Sequence, residues 1–414
     1  MKSISALLLI SLYFSVNIIA QTFIKNADFP GDARRDVISF TIGDRIYTGG
    51  GMNQTKFLKD LWEYNTTSNK WTKKNDLPST IAIGTSVVAN GICYIGLGGD
   101  GTKSLKDWWQ YDEQNDNWIK KADFPGRPGF DASCVSWKNN IYAIGVSETD
   151  NNSRAEVIHN EVWQYCPATN IWSLIDKFPG KPRHSGIAVI SENNLIYGFG
   201  QNESTKEQYS DMYNYDLENH SLKNIASIPS TPCQPVGTAN YAGVYDNKII
   251  MLSTDCNADV HEDYNNLYTY NISSDQWTIY KLANKIPWRL FGLSSTIANN
   301  GFTGLGYDYI SDIWYRDNWK INLEQLLMSY ESKIPEMGNI KVNTSNQSIL
   351  VELPKDLSLD SNIMLNTLDG KKLKDVSLGD GTEVDLSYLP NNLYVWTILN
   401  KGSVIKSGSI YKYK

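Results

Sequence analysis

Apolar and polar residues alternate in short runs along most of this chain, and alternation with a period of two is typical of half-buried β-strands. One alternating run recurs, and a second aromatic or apolar residue follows its central aromatic residue after a constant step of nine positions. The pairs are Trp62 and Trp71, Trp109 and Trp118, Trp163 and Trp172, Tyr213 and Leu222, and Tyr268 and Trp277. An incomplete sixth copy is expected at Asp312-Ile313-Trp314-Tyr315. The constant step predicts a β-hairpin inside a repeated unit.

Glycines follow an aromatic residue upstream of most of these copies. The stretches run from Tyr47 to Gly51, Tyr94 to Gly99, Tyr142 to Gly145, Tyr197 to Gly200 and Phe302 to Gly306. A complete unit is therefore about fifty residues long, and it contains four strand-like runs. The order of glycines, aromatic strand and distant tryptophan resembles the kelch repeat over roughly residues 23 to 320. This resemblance implies an all-β fold of four-stranded blades in a β-propeller, and we expect the large aromatic side chains between the blades.

The segment 23–30 is similar to 118–125, since both contain Ala-Asp-Phe-Pro after an alternating run. It predicts the outer strand of a blade, standing alone at the N-terminus, whereas the last repeat lacks an outer strand. We therefore expect residues 23–29 to pair beside the strand that contains Trp314. This pairing predicts a closed six-bladed kelch propeller over residues 21–321, without an unpaired edge at the junction.

The regions on either side of the repeats have different sequences. Residues 1–20 are typical of a secretory signal peptide, and residues 322–337 predict a linker with a short helix. Strand runs separated by turn residues predict a small C-terminal, immunoglobulin-like β-sandwich over 338–414. Within it, 368–373, 384–390 and the lysine-containing end resemble the sorting domain of the type IX secretion system of Bacteroidota. The resemblance implies the type IX machinery as a partner and a secreted or cell-surface location; an ordinary appended sandwich is the alternative.

Charge and cysteine content restrict the partners. The formal net charge is −7 and the pI is near 5.3, which argues against nucleic acid as a ligand. No later stretch is long and apolar enough to span a bilayer, so we expect no membrane span after signal cleavage. An exported chain with five cysteines leaves at least one unpaired. Cys233 and Cys256 flank one predicted hairpin, and we expect a disulfide between them.

Long connections fall between the second and third strands of the units, on the face that also carries the connections between blades. A face with long loops on a rigid scaffold is where binding usually occurs. The candidate ligand-binding residues on this face are Arg34, Arg35, Arg127, Arg183, His184 and Arg289. Guanidinium groups at these positions would hold carboxylates or sulfates by forked hydrogen bonds. The alternative is that the arginines bridge blades through backbone carbonyls and acidic side chains.

The remaining candidate chemistry is sparse. His159, His184 and His261 belong to the loop face, but their spacing is not that of metal ligands, so we expect no metal site. The sequence contains no nucleophile motif, phosphate loop or cofactor fingerprint, so we expect no cofactor and assign no catalytic residue.

Three functional hypotheses follow. The first is a secreted or cell-surface binding module that recognises a glycan or extracellular protein ligand. The second is an enzyme acting on an anionic sugar, similar to kelch sialate mutarotases or epimerases, in which Arg183 or Arg289 acts with a loop acid. The third is a structural surface module that only associates with partner proteins. Propellers host many unrelated activities, so the fold does not decide among them.

Overall fold

The structure is a computed structural model that describes most of the chain. The described residues are 22–149, 156–202, 204–205, 207–228, 241–254, 265–282, 287, 289, 291–308, 311–331, 341–345, 348–352, 361–367, 371–379, 382–400 and 403–412. The proposed signal peptide, Cys233 and Cys256 lie outside them. In the described residues the fold is all-β apart from one short helix, and no helix there is long and apolar enough to cross a membrane.

Six antiparallel units of four strands follow one another, and we call them sheets 1 to 6. The first strand, β1 (Phe23–Lys25), precedes sheet 1, which contains β2 (Ile38–Ile42), β3 (Arg45–Gly49), β4 (Leu61–Asn65) and β5 (Lys70–Lys74). Sheet 2 contains β6 (Thr85–Ala89), β7 (Ile92–Gly96), β8 (Trp108–Asp112) and β9 (Asn117–Lys120). Sheet 3 contains β10 (Ser133–Trp137), β11 (Asn140–Ile144), β14 (Glu161–Cys166) and β15 (Ile171–Lys177), with a separate hairpin of β12 (Ser147–Thr149) and β13 (Glu156–Ile158).

The second half repeats this plan. Sheet 4 contains β16 (Ile187–Ser191), β17 (Asn194–Gly198), β20 (Met212–Asp216) and β21 (Ser221–Ile225), with a hairpin of β18 (Gln201–Asn202) and β19 (Glu207–Gln208). Sheet 5 contains β22 (Tyr241–Tyr245), β23 (Lys248–Thr254), β24 (Asn265–Asn271) and β25 (Gln276–Lys281). Sheet 6 contains β26 (Leu293–Ile297), β27 (Asn300–Gly304) and β30 (Asn318–Asn322) together with β1, and a hairpin of β28 (Tyr307–Asp308) and β29 (Ile313–Trp314) lies beside it. The first strand of each sheet contacts its neighbours in a closed circuit, because β2 touches both β6 and β26.

The N-terminal strand completes sheet 6 as its outer strand, but its partner differs from the predicted one. β1 pairs antiparallel with β30, so that Phe23 lies opposite Ile321 and Lys25 opposite Trp319. The prediction of a strand containing Trp314 is therefore wrong. Trp314 belongs to the two-residue strand β29, which pairs only with β28. In sheet 6 the first aromatic residue of the step, equivalent to Trp62 in sheet 1, is Trp319, five residues after Trp314.

The fixed step places an indole against the preceding sheet. Trp172 in β15 donates from Nε1 to the carbonyl of Ala122 (3.1 Å), just beyond the outer strand of sheet 2. Asn170, at the turn before β15, accepts both the hydroxyl of Tyr165 (2.8 Å) and the N–H of Ala122 (2.9 Å). Trp172 also packs edge-on against Phe124, with ring centroids 5.2 Å apart. Equivalent indole contacts join Trp71 to Ala27 and Trp277 to Ala226, so the expected position of these aromatics between sheets is confirmed.

One glycine shows why the repeat needs this residue. Gly98 has φ of 84°, and its N–H donates to the carbonyl of Gly129 in the next connection (2.7 Å). A Cβ atom at Gly98 would lie 2.7 Å from the carbonyl oxygen of Ala82. The glycine therefore permits both a left-handed backbone and the close approach of adjacent sheets.

The helix α1 (Leu323–Glu331) follows sheet 6, and two further sheets form the C-terminal region. One contains β31 (Lys341–Thr344), β32 (Ser348–Glu352) and β35 (Thr382–Asp385). The other contains β33 (Ser361–Thr367), β34 (Lys372–Ser377), β36 (Asn392–Asn400) and β37 (Ser403–Lys412). Both sheets contribute to one apolar cluster that includes Val351, Ile363 and Trp396. β37 also pairs with β25, through Val404 opposite Ile279, and so extends sheet 5.

Candidate ligand site at the axial mouth

A cavity of about 350 Å³ lies inside the circuit of first strands. Ser133 and Ser294 on these strands contribute to its wall, and Asp131, Ser185 and Phe291 line it where the connections between sheets arrive. Phe291 is 43% exposed and offers an aromatic face at the edge of the cavity. The volume lies within the range of small-molecule pockets, and the lining combines an apolar wall with a few polar groups.

The rim of this cavity is a ring of strained backbone. Asp36, Ile83, Asp131, Ser185 and Phe291 occupy equivalent positions in five sheets, and all have φ between 53° and 58°. Backbone hydrogen bonds join neighbouring members of the ring. The N–H of Asp36 donates to the carbonyl of Phe291 (2.8 Å), that of Ile83 to the carbonyl of Asp36 (3.3 Å), and that of Asp131 to the carbonyl of Ile83 (3.1 Å). A β-branched residue such as Ile83 rarely adopts this conformation. Strain of this kind persists where the surrounding structure fixes it and is frequent at functional sites.

An arginine and one carboxyl group lie on one arc of the rim, beside Phe291. Arg35 donates from Nη1 to Oδ2 of Asp36 (2.5 Å), and its guanidinium lies 5.9 Å from the ring centroid of Phe291. The side chain of Asp36 is only 3% exposed. Burial raises the pKa of Asp36 to about 7, with Arg35 opposing the shift and the nearby Asp131 carboxylate adding to it. The mouth thus holds a carboxyl group that exchanges its proton near neutral pH.

Asp131, His184 and Ser185 form a compact cluster on the opposite arc. Nδ1 of His184 lies 3.1 Å from Oδ2 of Asp131 and 2.9 Å from Oγ of Ser185, which itself donates to Asp131 (3.2 Å). In a nucleophilic triad, one imidazole nitrogen faces the serine and the other faces the carboxylate. Here both partners meet the same nitrogen, so this arrangement cannot relay a proton from Ser185 to Asp131. It fixes the carboxylate of Asp131 toward the cavity instead. We call Arg35, Asp36, Asp131, His184, Ser185 and Phe291 the axial mouth.

Three of the predicted arginines are buried and bonded within the fold. Arg34, Arg183 and Arg289 each have a side chain that is 1% exposed. Each makes a forked contact with one aspartate, in the pairs Arg34–Asp60, Arg183–Asp211 and Arg289–Asp317. Each also donates to a backbone carbonyl, of Gly50, Phe199 and Leu305 respectively. These are the carbonyl and acid contacts of the structural alternative, and a ligand would have to displace an aspartate to reach a guanidinium.

Arg127 is placed differently from both groups. Its side chain is 69% exposed, and Nη1 donates to Oε1 of Glu148 (3.0 Å). The same oxygen lies 3.1 Å from Nε2 of His159. Glu148 is only 11% exposed, so it ties the β12–β13 hairpin to the connection that carries Arg127. Neither side chain lines the axial cavity, and both bind Glu148, which does not line it either, whereas Arg35 and His184 contact the lining residues Phe291, Asp131 and Ser185.

The structure therefore brings two of the six predicted residues, Arg35 and His184, to the axial mouth. Sequence reasoning missed four others, namely Asp36, Asp131, Ser185 and Phe291. A signal was present in three sheets, because Asp36, Ser185 and Phe291 stand two positions after Arg34, Arg183 and Arg289. Without the left-handed backbone there was no reason to turn that position toward the axis.

Two curated proteins are similar to parts of this chain. An N-acetylneuraminate epimerase from Pasteurella multocida (strain Pm70) is 32% identical over 71 residues, which cover 16% of this chain and 19% of that protein. The Ras guanine nucleotide exchange factor F of Dictyostelium discoideum is 25% identical over 181 residues, which cover 40% of this chain and 15% of that protein. The chain thus spans less than a fifth of the length of these relatives.

Family comparison agrees with the repeated sheets. A kelch motif matches residues 38–78, which contain the four strands of sheet 1. The family described as the KLHDC2/KLHL20/DRC7 Kelch-repeats domain matches residues 131–355, more than half of the chain. The all-β fold and the kelch repeats are consistent with a β-propeller. The chain therefore belongs to the KLHDC2/KLHL20/DRC7 Kelch-repeats domain family.

Proposed function

We propose that this chain is a binding module, built as a six-bladed kelch propeller, which holds a protein or glycan ligand at the axial mouth. The observation that carries the proposal is a strained ring of backbone around a cavity of about 350 Å³, with three polar residues in the ring and Phe291 exposed at its edge. A cavity with an aromatic side and a few oriented polar groups is suited to recognition. Kelch repeats support a protein ligand, and an aromatic ring beside carboxylates also suits a sugar.

The polar groups define what the ligand must offer. Asp131 is 24% exposed at the cavity and is fixed by His184 and Ser185. Its free lone pairs can accept hydrogen bonds from hydroxyl, amide or ammonium groups. Arg35, on the other arc, is 28% exposed, and its N–H groups favour a hydrogen-bond acceptor on the ligand. We infer that the ligand presents both a donor and an acceptor across the mouth, with an apolar face toward Phe291.

Binding screens with mouth variants test this function. A glycan array and a peptide library are probed with the wild-type chain, with Asp131→Asn and with Phe291→Ala. We expect hits from one of the two screens to weaken about tenfold or more in both variants, because truncating a central contact costs roughly 1–2 kcal/mol. Ile119→Ala, which shortens a 41% exposed side chain on β9, is the matched control. Binding that survives both mouth variants would refute the site.

A second candidate is an enzyme acting on an anionic sugar. It is favoured by the similarity to an N-acetylneuraminate epimerase over 71 residues and by the Arg35–Asp36 pair. A buried carboxyl group with a pKa of about 7 is suited to general acid–base work. Asp36 would be the acid–base group and Arg35 would hold the carboxylate of the sugar, since Arg183 and Arg289 are buried against aspartates and Arg35 is partly exposed. An NMR anomerisation assay with acidic sugars tests it: no rate above buffer, or an unchanged rate in Asp36→Asn, would rule it out.

We also propose that the protein is exported to the cell surface or secreted. Residues 1–20 would act as the signal peptide, and 338–414, as an immunoglobulin-like sandwich, would address the chain to the type IX secretion machinery of Bacteroidota. The support is the sequence resemblance of 368–373 and 384–390. Deleting 338–414 should retain the chain inside the cell, as followed by fractionation of a type IX host. Undiminished export of the deletion variant would contradict the sorting role and would leave the ordinary sandwich.

A further inference from the structure

One position on the outer strands of the six sheets differs in polarity from sheet to sheet. It lies two residues after the second residue of the nine-residue step, such as Trp71 in sheet 1, and on the same side of the strand. In sheets 1 to 6 it is occupied by Lys73, Lys120, Leu174, Asn224, Ile279 and Lys25. The lysines and the asparagine are exposed. Charged residues at such edges discourage pairing with other strands, and only sheets 3 and 5 have an apolar residue there among these six described strands.

In sheet 5 the apolar residue at this position lies where another strand pairs with the outer edge. Ile279 lies opposite Val404, where β37 of the C-terminal region adds to the edge of β25. Leu399 of β36 packs against the same apolar cluster, and Ile279 is only 6% exposed. The outer edge that carries an isoleucine is thus covered by an added strand. This is an example, within one chain, of recognition by strand addition.

Sheet 3 has the same apolar signature but no strand over it in the described residues. Leu174 is 53% exposed and Ile171 is 56% exposed. β15 is seven residues long, whereas the outer strands of sheets 1, 2, 4 and 6 have three to five. β15 has a β-bulge at Ile175, opposite the step from Val162 to Trp163. Its edge nevertheless carries exposed apolar residues and no lysine at its centre, which makes it a template for pairing.

We propose that β15 is a homodimerisation edge, which pairs antiparallel with β15 of a second copy around a two-fold axis at Leu174. Leu174 is the middle residue of the strand Ile171–Lys177. The symmetric arrangement sets Leu174 opposite Leu174, with Ile171 to Ser173 of each copy beside the second half of the other strand, which contains a β-bulge at Ile175 and then Asp176 and Lys177. This register places no like charges opposite each other, as a self-complementary interface requires. The proposal is independent of the axial mouth.

The size of the contact sets the expected strength. Seven residues of β-strand span about 23 Å, so the strand pair alone is smaller than a standard stable interface of roughly 1,600 Å². A concentration-dependent dimer is expected rather than an obligate one. Because each copy carries a net charge of −7, repulsion at low ionic strength would oppose association, and measurements belong at about 0.15 M salt.

Sedimentation velocity of the full chain over a wide concentration range provides the first test. The wild type is expected to shift from monomer toward dimer, and Leu174→Lys to stay monomeric because two ammonium groups would then meet at the axis. Lysine at this position is compatible with folding, since sheets 1 and 2 carry Lys73 and Lys120 there. Asn224→Lys, the matched change on sheet 4, should dimerise like the wild type. A wild type that stays monomeric, or a dimer that survives Leu174→Lys, overturns the proposal.

Cysteine crosslinking tests the register separately. The symmetric pair brings the two Leu174 Cα atoms to about 4.5–5.5 Å, which a disulfide can bridge. Leu174→Cys should therefore give a reducible dimer on oxidation. Ser173→Cys, which lies off the axis beside the second half of the other strand, should give no more dimer than the wild type with its native cysteines. Equal crosslinking of the two variants, or none in Leu174→Cys, rejects this pairing.

Discussion

Replacing Arg34 by methionine is expected to destabilise the repeat domain more than any exposed arginine change. Arg34 donates to both carboxylate oxygens of Asp60 (2.6 and 2.9 Å) and to the carbonyls of Gly50 (3.1 Å) and Asp32 (2.9 Å). Its guanidinium also lies 4.8 Å from the ring centroid of Phe29. Methionine fills a similar volume but leaves a largely buried carboxylate and at least one buried carbonyl without a donor.

The magnitude follows from what remains around Asp60. Removing one partner of a buried ion pair costs about 3–5 kcal/mol. Asp60 keeps 22% side-chain exposure and a hydrogen bond from the indole of Trp62 (2.8 Å), so the lower end, about 3 kcal/mol, is expected. At roughly 2 °C per kcal/mol for a large domain, the unfolding midpoint should fall by about 6 °C.

Thermal and urea unfolding followed by tryptophan fluorescence measure this change, with Arg127→Met as the control. Arg127 is 69% exposed and its contact with Glu148 is a surface ion pair, so its loss should cost less than about 1 kcal/mol. Equal effects of the two substitutions would refute the reasoning, because burial would then not matter.

The same substitution has a predictable pH dependence. Burial alone would raise the pKa of Asp60, but hydrogen bonds and charge from Arg34 outweigh it and hold the pKa below the usual 3.8. A carboxylate with a depressed pKa stabilises the fold above its unfolded pKa and loses this contribution as pH falls through the folded value. The stability difference between wild type and Arg34→Met should therefore shrink below about pH 4.

Three further predictions concern other parts of the molecule. Asp36→Asn should remove a stability loss that the wild type shows in urea unfolding as pH rises from about 4 through 7, because the raised pKa of Asp36 means that folding disfavours its ionised form. Asn170→Ala should cost about 1–2 kcal/mol in the same assay, since Tyr165 and Ala122 lose their shared acceptor. Lys412→Met should destabilise the C-terminal region by about 3 kcal/mol, because the buried ammonium donates to three backbone carbonyls at 2.6 Å each; faster proteolysis there is the readout. An unchanged pH profile, midpoint or cleavage rate would contradict the respective prediction.

The repeat could be predicted from the sequence because its signal is local. The nine-residue step between Trp163 and Trp172 reflects a hairpin whose second aromatic residue reaches the preceding sheet, and the copies that end at Trp71 and Trp277 make the same contact. The sixth copy misled because a tryptophan follows an aspartate by two positions in both Asp312 to Trp314 and Asp317 to Trp319. Pairing with β27 and with Phe23–Lys25, the latter almost three hundred positions away, distinguishes the second string, and no local pattern contains that information.

The axial mouth was harder to predict because the ring of residues at its rim shares a backbone conformation and no residue type. Asp36, Ile83 and Phe291 occupy equivalent positions in the ring, yet one is acidic and two are apolar. The sequence marked the arginines, which the fold uses, and left the strained positions unmarked. Side-chain chemistry alone therefore directed attention two residues too early in the chain.

The buried arginines and the mouth nevertheless depend on each other. Arg34 fixes its connection to sheet 1 through Asp60, and its carbonyl accepts the N–H of Gly306 from sheet 6 (2.8 Å). The strained Asp36 follows two residues later, and its own N–H donates to the carbonyl of Phe291 (2.8 Å), so the segment 34–36 is held by sheet 1 and by the connection to sheet 6. A left-handed residue costs on the order of 1–3 kcal/mol unless its surroundings over-determine it. The contacts of Arg34 with Asp60 and Gly306 help to fix the left-handed backbone at Asp36. Arg34→Met is therefore expected to weaken ligand binding at the mouth, although Arg34 itself contacts no ligand.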